Sequence, residues 1–86
     1  MRLRWLMDIQ KGSIVIAKAG RDKGGCYVVL ERDGSYALIA DGKRRRVEHP
    51  KRKKLMHLSA TNTVAAGSFE TNPQVKRIIQ GFKNGG

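Results

Sequence analysis

Apolar residues gather in three short runs early in the chain, at residues 14–17, 27–30 and 36–40, each rich in Val, Ile, Leu or Tyr and parted by glycine-containing stretches. Runs of that length and composition predict β-strands. The pair Asp33-Gly34 predicts a tight hairpin between the second and third, because glycine accepts the positive φ such turns need. Asp41-Gly42 repeats the signal and predicts a fourth strand over 43–48, with residues 54–58 as a short closing strand. Residues 59–72 are mostly Ser, Ala, Thr, Asn and Gly without a period, the composition of a flexible linker. Beyond them Val75, Ile78, Ile79 and Phe82 recur at helical spacing behind Pro73, with Asn72 in the capping position. That predicts a short amphipathic helix over 73–83 and a disordered end at 84–86.

These elements place an all-β fold, a small barrel of about five strands, in residues 9–58. A chain of 86 residues has room for one small core. Closing the sheet removes edges that would otherwise need covering. Residues 1–8 are expected to be a disordered extension, with Met7 as an alternative start, because the barrel pattern begins directly after Met7; they lack the apolar stretch of a secretory signal. A helix as short as 73–83 is marginal alone, so it is expected to pack on the barrel or on a partner.

Charge narrows the function. Eighteen Lys and Arg against seven Asp and Glu give a formal net charge of +11 and a pI near 10.6, which calls for an anionic partner. Eight of the cations fall between residues 43 and 54: Lys43, Arg44, Arg45, Arg46, Lys51, Arg52, Lys53 and Lys54. On a strand over 43–48, Arg44 and Arg46 would share one face and Lys43 and Arg45 the other. With Lys18, Arg21 and Lys23 of the first glycine-rich loop they form a basic edge able to follow a phosphate backbone. A charge run is often no more than a solvated face, but this one is interleaved with strand and turn signals and with the core candidates Val47, Leu55 and Leu58. Nucleic acid is favoured over a membrane surface, because no basic helix carries a long apolar face. RNA is favoured over DNA, because no element is shaped for the major groove.

Catalytic and ligand-binding classes find little support. Gly20 and Gly25 frame a loop of nearly phosphate-cradling length, but Cys26 stands where such a loop needs Lys, so no nucleotide site is expected. His49 and His57 have no cysteine or carboxylate cluster at metal-ligand spacing, and no nucleophile has a base beside it. The expectation is a non-enzyme with no metal, cofactor or small-molecule substrate. Tyr27 and Tyr36 are either core or a modest base-stacking platform. The single Cys26 excludes an internal disulfide and points to a reducing, cytoplasmic setting.

Residues 11–29, which alternate strand residues around Gly20, Gly24 and Gly25, resemble a KOW motif. Farther along the chain, the segments Ala37-Leu38-Ile39-Ala40-Asp41-Gly42, Arg44-Arg45-Arg46-Val47 and His57-Leu58 resemble the large-subunit ribosomal protein family fourteen of archaea and eukaryotes and its short bacterial relatives. The resemblance spans residues 9–58. It implies an SH3-like barrel that binds structured rRNA of the large ribosomal subunit through basic loops and a strand edge. Gly24 takes the place of the motif's central glycine, and Lys18, Arg21, Lys23, Arg44, Arg45 and Arg46 its basic positions. On that footing the chain is an RNA-binding ribosomal or ribosome-associated protein, with ribosomal proteins as candidate partners of the C-terminal helix. The alternative is a KOW adaptor that docks on a protein partner in a transcription or translation complex.

Overall fold

The computed structural model describes residues 9–85; the expected extension over 1–8 and the terminal Gly86 lie outside the described residues. Five strands, β1 (Ser13–Ala17), β2 (Cys26–Asp33), β3 (Tyr36–Ala40), β4 (Lys51–Lys54) and β5 (Leu58–Val64), form one antiparallel sheet in the order β4-β3-β2-β1-β5. A 3-10 turn, Leu55–His57, joins β4 to β5, and a helix, α1 (Asn72–Lys83), follows. The three apolar runs are strands, and Gly34, at φ 61°, makes the β2–β3 hairpin turn.

Successive residues of a strand point to opposite faces, and here both faces are buried. Val15, Ala17, Tyr27, Val29, Ala37 and Ile39 form one core with Ile9, Leu55 and Leu58. Ile14 and Val28, on the other face, form a second core with Val75 and Ile79 of α1. Val47 and Phe69 pack against its edge. Unbroken apolar runs such as residues 26–30 therefore reflect burial on two sides, where a half-exposed strand would alternate.

Three expectations are corrected. Residues 43–48 are turns, not a strand. Asp41 Oδ1 accepts the backbone N–H groups of Lys43 and Arg45 at 2.9 Å each, and Arg45 O accepts those of Asp41 and Gly42. These local bonds occupy groups that a ladder would use. The ladder forms later, where Ala37 pairs with Lys53 and Ile39 with Lys51.

Second, the stretch from residue 59 is not a linker at its start. β5 pairs with β1 as far as Ser13↔Val64, and Thr61 Oγ1 donates to Ile14 O at 2.7 Å. The short strand expected over 54–58 is instead the end of β4, the 3-10 turn and the first residue of β5.

Third, the helix is capped by Thr71, whose hydroxyl accepts from Gln74 N while the Gln74 side chain accepts from Thr71 N, a reciprocal capping box. Asn72 is freed to tie the helix to the 43–48 turns. Its Oδ1 accepts from Val47 N at 2.9 Å and its Nδ2 donates to Glu48 at 2.8 Å. At its C-terminal end the helix is closed by the Asn84 N–H, which donates to Gln80 O.

Candidate nucleic-acid interface

Two loops meet at one end of the sheet. The first, residues 18–25 between β1 and β2, folds back on itself: Lys23 N donates to Gly20 O, Gly25 N to Asp22 O and Gly24 N to Ala17 O. Gly24 holds φ 88°, a region other residues enter only under strain. Gly25 fails to admit a side chain for another reason, since a Cβ there would lie 2.5 Å from the Tyr27 hydroxyl. The tight turn points Asp22 inward, leaving its side chain 11% exposed.

Asp22 is the hub of the site. Arg45, from the second loop, donates to its carboxylate through Nη2 at 3.0 and 3.3 Å and through Nε at 3.3 Å. The Tyr27 hydroxyl donates to it at 3.3 Å, and Lys53 Nζ lies 3.6 Å away while donating to Ala19 O at 2.9 Å. Burial by itself would raise the Asp22 carboxyl, but the hydrogen bonds and charge of Arg45, with Lys53 and Tyr27, outweigh it and hold the pKa below its ordinary 3.8. Burial, and then the charge and hydrogen bond of Asp22, push the Tyr27 hydroxyl up to about 12.

The eleven expected basic positions therefore divide. Arg45 and Lys53 are engaged within the protein: Lys53 is 8% exposed, and both pair with Asp22. Arg52 lies 3.8 Å over the Tyr36 ring on the outer face of β3 and β4 and 3.9 Å from Asp33. Arg52 thus covers one face of the half-buried Tyr36 ring, and Tyr27 belongs to the core. Lys54 is exposed on the same outer face and Lys51 is half-buried.

The remaining six are all exposed: Lys18, Arg21 and Lys23 in the first loop, Lys43, Arg44 and Arg46 in the second. Arg46 makes a loose surface pair with Glu48 at 3.7 Å, and the other five make no ion pair among the described residues. The Asp22–Arg45 bonds join the two loops that carry these cations. Compared with models of protein families and with curated proteins, the chain finds no match in either.

The hub itself escaped the sequence reading. Its signal was a lone carboxylate, Asp22, set between two cations in a glycine-rich loop. No chain separation marked Arg45 and Lys53 as its partners, 23 residues away in the case of Arg45.

Proposed function

We propose that the chain is an RNA-binding protein of ribosomal or ribosome-associated type, non-enzymatic and cytoplasmic, whose sheet is curled as an SH3-like barrel of the KOW kind. The barrel reading is supported by the core that one face of the sheet builds from its own strands, with Leu55 and Leu58 beside the turn that joins the two edge strands. The observation that carries the RNA reading is the Asp22–Arg45 clamp, which gathers six exposed cations from two loops at one end of the sheet.

A cluster of exposed Lys and Arg, with no exposed aromatic side chain among the described residues, suits phosphate oxygens and helical shape better than splayed bases. The preferred ligand is therefore folded, duplex-containing RNA, as in the rRNA of the large ribosomal subunit.

Titration of a fluorescent hairpin RNA with the protein tests this. Replacing Lys43, Arg44 and Arg46 together by Gln should weaken binding at least tenfold, about the effect of losing one or two phosphate contacts, and leave the melting temperature within a few degrees. Unchanged affinity, or tighter binding to an unstructured strand of equal length, overturns the proposal.

A further inference from the structure

The end of the sheet away from the basic loops carries a different surface. β1 leaves the first basic loop at Ala17 and ends at Ser13, about 13 Å away at about 3.3 Å per residue. There Ile14 floors an open groove of about 400 Å³, walled by Thr63 and Val64 of β5 on one side and Arg77, Ile78 and Phe82 of α1 on the other. Val64 is 48% exposed although it is a large aliphatic side chain.

Charge is distributed unevenly around the groove. Residues 58–69 contain no charged side chain, in a chain where 29% of residues are charged. Arg77 is the single charged residue among the described residues that line the groove, and it makes no ion pair among them. α1 itself bridges the two ends. Its first residue, Asn72, is bonded to the basic loop through Val47 and Glu48, and its C-terminal half supplies the groove wall.

We infer that this groove is a docking site for an apolar peptide segment bearing a carboxylate, contributed by a protein partner. Ile14, Val64, Ile78 and Phe82 offer the apolar contact and Arg77 a fixed point for the acid, which it can bind in forked geometry. A second copy of the chain is a poorer occupant, since each carries +11 and two such chains repel one another. The inference does not depend on the RNA reading; if both hold, the protein grips nucleic acid at one end and a protein at the other.

Selection of short random peptides displayed on phage against the immobilised protein, in salt that screens the basic end, tests this. Enriched peptides should share apolar residues next to Asp or Glu, and their synthetic forms should shift the methyl resonances of Ile14, Val64 and Ile78. Val64→Asn and Arg77→Glu should each weaken them at least about tenfold, the size of a central interface contact, while Lys43→Glu, an equal change in net charge at the other end, should not. Arg77→Glu lies on an exposed helix position and keeps the test valid if Val64→Asn disturbs β5.

Equal loss with Lys43→Glu would reduce the effect to general attraction and overturn the inference. So would enriched peptides without a shared pattern, or dimerisation in sedimentation that Val64→Asn abolishes, which would assign the groove to a second copy.

Discussion

At the scale of single residues, Asp22 gives the sharpest test because charge and geometry oppose each other there. Removing a carboxylate from a basic surface should strengthen phosphate binding if only net charge mattered. The clamp requires the reverse: Asp22→Asn should weaken RNA binding, because Arg45 is released and the two loops lose their relative position. It should also lower stability by about 3–5 kcal/mol, the usual cost of breaking a largely buried pair, read from urea unfolding. Tighter RNA binding by Asp22→Asn would show the clamp to be irrelevant to the interface.

The pH dependence rests on the same group. The folded-state pKa of Asp22 is depressed, so its stabilisation is present above the ordinary carboxylate range and is lost as pH falls below about 4. Melting temperature should fall more steeply through that range in the native protein than in Asp22→Asn. Tyr27 works in the opposite direction. Its folded pKa, about 12, lies above the ordinary 10, so its contribution is complete below pH 10 and is lost as pH rises towards 12. Phenolate absorbance assigned by Tyr27→Phe should rise near pH 12.

At the scale of elements, the basic run 43–46 divides into one structural and three exposed side chains. Replacing Arg45 by Gln should destabilise the fold as Asp22→Asn does, whereas replacing Arg44 and Arg46 should not, and thermal melts of the two variants distinguish them. Alternation along a strand would also have set Arg44 and Arg46 apart from Arg45. The cause is different, since residues 43–48 are held in turns by Asp41 and Arg45 has one specific partner, Asp22.

The same scale fixes the role of α1. Ile79 is buried against Val28 and Ile14, so Ile79→Ala should cost about 2–5 kcal/mol in urea unfolding, and Thr71→Ala about 1 kcal/mol through the lost cap. Deleting residues 59–86 removes most of β5 as well as α1, and should abolish cooperative unfolding. A deletion variant that melted sharply would mean that the second core is dispensable.

At the scale of the whole molecule, six exposed cations at one end bound the salt dependence. Log affinity for RNA should fall linearly with log salt at a slope of about −4 to −5 if all six meet phosphate, since each contact contributes about 0.7–0.9. Including Arg45 and Lys53 would have predicted a steeper line. Their commitment to Asp22 keeps them out, and anisotropy titrations across a salt series check the count.

Much of this was legible in the chain. β-branched runs bounded by glycine located β1, β2 and β3, because a strand buried on both faces has to be apolar at nearly every position. Helical spacing located α1, and the charge imbalance marked the basic loops. Local chemistry decided these features, so local reading found them. Tertiary structure decided the rest. The uncharged residues 59–64 read as a tether until β1 supplied an edge for them, and Asn72 read as a cap until Val47 and Glu48 drew it away from that role. Eleven basic residues looked equivalent until one inward-facing carboxylate claimed two of them. Partners this distant in sequence leave no periodic trace; they are selected only when folding brings a buried charge and its counter-charges within hydrogen-bonding reach.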